Sequence, residues 1–156
     1  MKQIYLFTFL IAIVLAGCTE TPSGETLVET ETVEATPAAS DGLFIHVSSG
    51  YDNPKKAMMA ITLANKVIGI KDVTLFFDIE GVRLLTKNSK DIDLGGYMSL
   101  HAALDSLVAA NVQIMACPMC MKAAGIDESM LRDGVTTATV DGFFNFTDGR
   151  ILTLDY

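Results

Sequence analysis

The sequence has few basic residues, since 11 lysines and arginines stand against 19 aspartates and glutamates, giving a formal net charge of −8. No cluster of basic residues interleaved with aromatic ones occurs along the 156 residues. Proteins that bind nucleic acids need such clusters to neutralise phosphate charge. The composition therefore argues against a nucleic acid as a partner.

Long hydrophobic runs are also missing after the first seventeen residues. Residues 1–17 combine a short basic start with an apolar run that ends in small residues, which is typical of a secretory signal peptide. Because this run is short and no second one follows, a signal peptide is favoured over a membrane-spanning helix. The sequence thus predicts an exported protein.

The signal ends in the tetrapeptide LAGC, residues 15–18, which resembles the lipobox of prokaryotic lipoproteins. The resemblance implies cleavage before Cys18 and attachment of lipid to its thiol. An ordinary signal peptide or an uncleaved anchor is the alternative. Acyl chains contribute about 0.8 kcal/mol per buried methylene, and stable anchoring usually takes more than one chain. We therefore expect an extracytoplasmic protein, anchored by lipid to the cell membrane on its periplasmic or cell-surface side.

The segment after Cys18 has little apolar surface. Residues 19–41 contain six acidic residues, no basic ones, many threonines and two prolines. Such a composition cannot offset the entropy lost on ordering, and like charges repel one another. Residues 18–41 are therefore predicted to form a lipidated, disordered tether. The remaining residues, 42–156, hold thirteen acidic and ten basic side chains and form the predicted domain.

Short apolar runs alternate with helical periodicity throughout residues 42–156. Two clear helices are predicted over 51–69 and 98–111, with shorter helical segments over 121–125 and 141–149, the last alternatively a hairpin. The predicted strands cover residues 43–49, 73–79, 112–116, 135–140 and 150–156. Strands separated by helices indicate right-handed βαβ units. The sequence thus predicts a single three-layer α/β domain with a five-stranded, mostly parallel sheet, flavodoxin-like in layout.

Two of the three cysteines, Cys117 and Cys120, directly follow the third predicted strand. Functional sites of parallel sheets lie at the carboxyl ends of strands. A helix that starts here, together with Lys122, is expected to lower the thiol pKa from about 8.5 and activate a nucleophile. A disulfide between the two is also possible at this spacing. The alternative is that both are ordinary core residues, because cysteine is among the most buried residue types.

The segment CPMCMKAAGI, residues 117–126, resembles the pattern of the DsrE/DsrF-like sulfur-relay family. That pattern has two cysteines two residues apart, four further residues, and a glycine followed by Ile or Val. The order of HVSSG (46–50), FFDIEGVRLL (76–85) and RILTLDY (150–156) also agrees with the family. The resemblance covers about residues 42–156.

The resemblance implies that Cys120 carries a sulfane sulfur as a persulfide, with Cys117 as the accessory cysteine that releases the cargo by forming a disulfide. No organic cofactor is implied, because sulfur itself is the cargo. The implied partners are a sulfur donor and an acceptor thiol, each a protein or a small sulfur compound. The family also implies a homo-oligomer, a trimer or hexamer. Whether the protein is a sulfurtransferase-like enzyme or only a carrier stays open.

Two other functions fit the same cysteines. A membrane-tethered thiol-disulfide redox protein would use the C-x-x-C directly, although thioredoxin-like domains usually place it after an early strand. A Cu(I) site would use the thiolates and thioethers that crowd this segment. These residues are Met115, Cys117, Met119, Cys120 and Met121. Two cysteines are too few for a closed zinc site unless His46 and His101 approach them.

Other polar residues give weaker signals. Asp78 and Glu80 follow the second predicted strand, and we interpret them as solvated loop charges. Asp91 and Asp93 lie in a polar loop and receive no catalytic role. The segment 48–50 precedes a helix but has no phosphate-loop pattern.

Overall fold

The computed structural model describes residues 39–156. The predicted signal peptide, the predicted lipid-bearing Cys18 and nearly all of the predicted tether lie outside these residues. No helix within the described part of the chain is both long and apolar enough to cross a membrane.

Five parallel strands form one sheet, which confirms the predicted α/β class. They are β1 (Gly42–Val47), β2 (Asp72–Phe77), β3 (Gln113–Ala116), β4 (Val135–Thr137) and β5 (Ile151–Asp155). Their order in the sheet is β4-β3-β2-β1-β5, so the chain builds outward from β1 in one direction and then returns to place β5 on the other side. Such a reversal opens a crevice at the carboxyl ends of the strands next to it.

Four α-helices connect the strands: α1 (Pro54–Val67), α2 (Leu100–Ala109), α3 (Pro118–Ala124) and α4 (Val140–Phe144). Single 3₁₀ turns cover Gly81–Leu85 and Glu128–Met130. Helix α1 begins where the Asn53 side chain accepts the Lys56 N–H, followed by Pro54 in the first turn. Helix α3 ends at Gly125, whose φ of 70° is left-handed.

The ends of several predicted elements were wrong. Strands β1 and β2 end at Val47 and Phe77 and not at residues 49 and 79. The helix expected to start beside the cysteines does begin at Pro118, so the predicted range 121–125 was too short, because a proline in the first turn lacks only an N–H that has no partner there. Strand β4 ends at Thr137 and not at residue 140, because the Thr139 hydroxyl accepts the Gly142 N–H and caps α4. The segment after β4 is thus helical, as predicted, and the hairpin alternative is excluded.

The two faces of the sheet are covered unequally. Alternate side chains such as Ile45 and Leu75 are fully buried on the face that packs against α1 and α2. On the opposite face, the Phe143 ring of α4 lies 5.5 Å from that of Phe44 and 4.9 Å from that of Phe76. The predicted third layer is therefore only this short helix and the segment after it. Apolar side chains remain exposed around it, namely Val140, Phe144 and Ile151.

Candidate functional site

The cysteine pair lies at the carboxyl edge of the sheet. Strand β3 delivers Cys117 to a position where its N–H donates to the carbonyl of Phe77 at 2.8 Å, which fixes it beside the end of β2. Cys117 then caps α3, and Cys120 follows one helical turn later on the same side. Both cysteines are half-buried and unoxidised. The predicted location after the third strand is thus the location in the structure.

The surroundings of Cys120 hold its proton more tightly than expected. Burial raises the pKa of the Cys120 thiol above its ordinary value, and the adjacent Cys117 thiol and the charge of Asp78 raise it further. The backbone N–H of Ile79 faces the sulfur and acts in the opposite direction. The expectation of a lowered pKa was therefore wrong for Cys120. Lys122 points to solvent and is not among the groups that shift this pKa.

The backbone that faces Cys120 has an uncommon conformation. Ile79 has a φ of 42°, in the left-handed region that a β-branched residue rarely adopts, and its side chain is 60% exposed. Such strain persists only where the surroundings determine it, and it clusters at functional sites. Here the Asp78 N–H donates to the Val47 carbonyl and the Gly81 N–H to the Ser48 carbonyl, both at 3.2 Å. These bonds fix the backbone on both sides of Ile79.

Glycine at position 81 allows the segment after β2 to lie close to the end of β1. A Cβ atom there would lie 2.2 Å from the carbonyl oxygen of Val47, far inside van der Waals contact. A Cβ on Gly50 would likewise lie 2.4 Å from the carbonyl oxygen of Glu80. The segments after β1 and β2 therefore touch through their backbones, which holds Ile79 against Cys120.

A histidine between two carboxylates occupies the point where the strand order reverses. His46 at the end of β1 has its Nδ1 atom 2.8 Å from Oδ1 of Asp155 and its Nε2 atom 2.9 Å from Oδ2 of Asp78. The Ser48 hydroxyl lies 3.2 Å from the same Nε2 atom. The ring stacks on Phe76, with centroids 5.5 Å apart. Because both ring nitrogens face carboxylate oxygens, the arrangement favours the doubly protonated imidazolium.

The pKa of His46 reflects opposing effects. Burial by itself would lower this pKa, but the hydrogen bonds and negative charges of Asp78 and Asp155 outweigh burial and raise it above 6.5. The cluster of His46, Asp78 and Asp155 therefore holds a cation between two anions beside the cysteine site.

The interpretation of Asp78 as a solvated loop charge was wrong. Its side chain is only 19% exposed, and its Oδ1 atom is buried with no hydrogen-bond partner among residues 39–156. Glu80, by contrast, lies at the surface, where Arg83 donates to its Oε2 atom at 3.0 Å. The sequence analysis considered His46 only as a conditional zinc ligand and assigned no role to Asp155. Each of the three cluster residues lies at or just past the carboxyl end of a strand, which was the available signal.

Residues 39–156 do not bring metal ligands together. No group of three or more His, Cys, Asp and Glu side chains within residues 39–156 is arranged to hold a metal ion. His101 lies elsewhere, with its Nε2 atom 3.1 Å from the Ser89 hydroxyl. Among the nearby methionines, Met115 and Met121 are buried in the protein, whereas Met119 is 80% exposed. The thioethers therefore do not converge on the two thiols.

Comparison with known proteins identifies the domain. Residues 41–148 match the family model described as the DsrE/DsrF-like family. A search of curated proteins found no match.

Solved structures with the same fold include the following two proteins. The crystal structure of the ychN protein from E. coli is 21% identical, with a TM-score of 0.58, and the alignment covers 74% of this chain and 99% of that one. The protein of unknown function MTH1491 from Methanobacterium thermoautotrophicum is 14% identical, with a TM-score of 0.53 and the same two coverages. At these identities the likeness establishes the fold.

Proposed function

Because the chain belongs to the DsrE/DsrF-like family, we propose that it relays sulfane sulfur through Cys120. The observation that carries this proposal is the position of the half-exposed, unoxidised Cys120 thiol at the carboxyl edge of a parallel sheet. Sites of α/β sheets lie at this edge, where backbone N–H groups and side chains of several strands converge. The Ile79 N–H already faces the sulfur and would stabilise negative charge on a persulfide.

The proposed transfer follows the rules of thiol-disulfide exchange. The Cys120 thiolate attacks the outer sulfur of a donor persulfide, the donor S–S bond breaks, and the donor leaves as a thiol after taking up a proton. An acceptor thiolate then attacks the outer sulfur on Cys120 and restores the Cys120 thiol. The rate of each step depends on the thiolate fraction of the attacking group and on the pKa of the leaving thiol. The chain needs no organic cofactor for this exchange.

Cys117 is proposed as the accessory cysteine. It caps α3 one helical turn before Cys120, and its thiol acts on the pKa of Cys120, so it lies within reach of a persulfide formed there. Attack of the Cys117 thiolate on the inner sulfur releases hydrosulfide and leaves a Cys117–Cys120 disulfide. A reducing thiol from solution would then regenerate the two cysteines.

The proposed location is the outer side of a membrane. The LAGC tetrapeptide and the acidic segment after it support lipid attachment at Cys18 and a tether that holds the domain away from the bilayer. Incorporation of a labelled fatty acid into the wild-type protein, and its loss in Cys18→Ala, tests this part of the proposal. Labelling that persists in Cys18→Ala would contradict it.

The domain is also proposed to assemble as a homo-oligomer, a trimer or hexamer by family resemblance. Its support in the structure is the exposed apolar surface around α4 and the start of β5, which contains Val140, Phe144 and Ile151. Contiguous exposed apolar surface is typical of protein interfaces.

Mass spectrometry of the reduced protein after incubation with polysulfide tests the relay function. We expect an added mass of about 32 Da, one sulfur atom, on the wild type and on Cys117→Ser, and none on Cys120→Ser. Transfer of the label to an added acceptor thiol should then return the protein to its original mass. An adduct that forms equally well on Cys120→Ser would contradict the assignment.

A thiol-disulfide redox protein is the second candidate function. The placement of the two free thiols one helical turn apart at the start of α3 favours it, because neighbouring thiols can form a disulfide after a small rearrangement. This function predicts a reversible loss of two hydrogens on mild oxidation and no stable sulfur adduct. The mass spectra described above therefore distinguish the two functions.

A further inference from the structure

Sulfur exchange at Cys120 requires the movement of a proton. Because burial raises its pKa, the Cys120 thiol is mostly protonated near neutral pH. When it attacks a donor persulfide, its proton must leave, and the departing donor thiolate must gain one. Groups that carry a proton between two reacting atoms commonly accelerate a reaction by 10²- to 10⁴-fold.

The structure contains a row of hydrogen-bonded groups that leads to this thiol. Asp155 bonds Nδ1 of His46, and Nε2 of His46 bonds Oδ2 of Asp78, with separations of 2.8 Å and 2.9 Å. The other carboxylate oxygen of Asp78, Oδ1, is buried and has no hydrogen-bond partner among residues 39–156. A buried carboxylate oxygen without a hydrogen-bond partner destabilises the folded state, so the burial of Oδ1 calls for a functional explanation.

Asp78 and Cys120 are neighbours. Asp78 lies between Phe77, whose carbonyl accepts the Cys117 N–H at 2.8 Å, and Ile79, whose backbone N–H acts on the Cys120 thiol. The negative charge of Asp78 acts on the same thiol. Ser48 and Asp155 are the other polar groups that face His46, which leaves Asp78 as the member of the row next to the cysteine. We propose that Asp78 carries the proton of sulfur exchange at Cys120, and that His46 and Asp155 position its carboxylate. This inference rests on the proposed relay function.

The proposed step is balanced in atoms and electrons. Oδ1 of Asp78 takes the proton of the Cys120 thiol, and the resulting thiolate attacks the outer sulfur of R–S–SH. The S–S bond of the donor breaks, its electron pair stays on the R–S sulfur, and Asp78 returns the proton to that sulfur. The products are Cys120–S–SH and R–SH, and Asp78 ends as a carboxylate. The transferred sulfur keeps its oxidation state.

A comparison of two sulfur donors tests the proposal. Glutathione persulfide releases a thiolate that must be protonated, whereas a thiosulfonate releases a sulfinate anion that needs no proton. For Asp78→Asn we expect loading of Cys120 from glutathione persulfide to slow by about tenfold or more. Loading from the thiosulfonate should stay at the wild-type rate or rise, because water can also take the thiol proton, the sulfinate needs none, and removal of the Asp78 charge lowers the pKa of Cys120. Equal loss with both donors, or no loss with either, would overturn the proposal.

Alkylation by iodoacetamide provides an independent readout, because iodide leaves without a proton. Asp78→Asn should react with iodoacetamide at least as fast as the wild type, which a damaged or misfolded site would not do. Asp133→Asn is the matched control, since Asp133 carries the same charge on a fully exposed side chain. It should leave both loading rates and the alkylation rate unchanged.

The positioning role of His46 has its own signature. Loading from glutathione persulfide should change with pH as His46 titrates in the wild type, and this inflection should be absent from His46→Gln. An inflection that persists in His46→Gln would remove His46 from the proposal. The relay function itself fails by a different result, namely no loading of the wild type by either donor or undiminished loading of Cys120→Ser.

Discussion

The imidazole of His46 lies 2.8 Å from the carboxylate of Asp155, although the two residues are 109 positions apart in the chain. This contact joins β1 to the edge strand β5, and backbone bonds extend it, since the Tyr156 N–H donates to the His46 carbonyl at 2.9 Å. The Ser48 N–H in turn donates to the Tyr156 carbonyl at 2.8 Å. The chain terminus therefore helps to build the same edge of the sheet as the cysteine pair.

Fold stability should depend on the charge of His46. Its pKa in the folded state lies above the ordinary value of 6.5, so the bonds to Asp78 and Asp155 stabilise the fold fully below pH 6.5. This contribution is lost as the pH rises through the raised pKa, because the proton then leaves the folded protein. The difference in free energy of unfolding between wild type and His46→Gln should therefore be largest below pH 6.5 and shrink as the pH rises above it. Urea unfolding at a series of pH values measures it.

The NMR titration of the His46 ring protons gives a direct check. Asp155→Asn removes one of the two carboxylates that raise the pKa of His46, so the midpoint should move to lower pH. Asp133→Asn is the matched control, since the Asp133 side chain is fully exposed, and it should leave the His46 midpoint in place. A His46 midpoint that stays in place in Asp155→Asn would show that the Asp155 contact does not persist in solution.

Cys120 should react slowly with iodoacetamide in the folded protein at neutral pH. Its thiol pKa lies above 9.0 because of burial and the adjacent Cys117, and only the thiolate is alkylated. Unfolding in urea should accelerate the reaction, and so should Cys117→Ala, because Cys117 contributes to the raised pKa. Peptide mass spectrometry after timed quenching measures each rate. Alkylation that is faster in the folded protein than in urea would contradict the described surroundings of Cys120.

Replacement of Ile79 should reveal the strain in its backbone. Ile79 has a φ of 42°, and the left-handed conformation costs roughly 1–2 kcal/mol for residues other than glycine. Because the side chain is 60% exposed, its removal has little direct effect on packing. Ile79→Gly should therefore be more stable than Ile79→Ala by about 1 kcal/mol, the strain partly offset by the greater chain entropy of glycine.

Asn111 offers a comparison for that measurement. It also has a positive φ, 57°, but asparagine tolerates this region better than isoleucine does. Asn111→Gly should likewise be more stable than Asn111→Ala, and this difference would show that the measurement detects the backbone effect. Ile79→Ala as stable as Ile79→Gly would mean that position 79 is not left-handed in solution.

The proposed assembly depends on exposed apolar side chains around α4. Phe144 is 63% exposed on this helix, and a buried charge at an interface is strongly unfavourable. Phe144→Lys should therefore reduce the mass measured by light scattering to that of a monomer. Met59→Lys is the matched control, since Met59 is 57% exposed on α1, which packs on the opposite face of the sheet. A wild-type protein that is monomeric at all concentrations would contradict the assembly itself.

Much of the fold could be predicted from the sequence. Strands β1 and β2 are apolar runs bounded by turn residues, and α1 and α2 have clear caps at Asn53 and Ser99. These signals are local and depend on few neighbouring residues, so periodicity detects them. The cysteine pair was located for the same reason, because its position requires only that β3 end just before Cys117.

The cluster of His46, Asp78 and Asp155 could not be predicted in this way. Its residues lie at or just past the ends of three separate strands, and Asp155 meets the other two only because β5 returns to lie beside β1. Periodicity defines each strand but not the order of strands in the sheet. The pKa of Cys120 was mispredicted for a related reason: its burial and the approach of Asp78 depend on how the segment after β2 folds over α3.

The edge position of β5 has a dynamic consequence. No strand flanks β5 on its outer side among residues 39–156, and such peripheral elements detach from a domain at a lower free energy than global unfolding requires. Because Asp155 lies on this strand, transient detachment of β5 would separate it from His46 while the rest of the sheet stays intact. The electrostatic field of His46 and Asp155 near the cysteines would then vary as β5 detaches and returns, at a rate that does not depend on the sulfur chemistry.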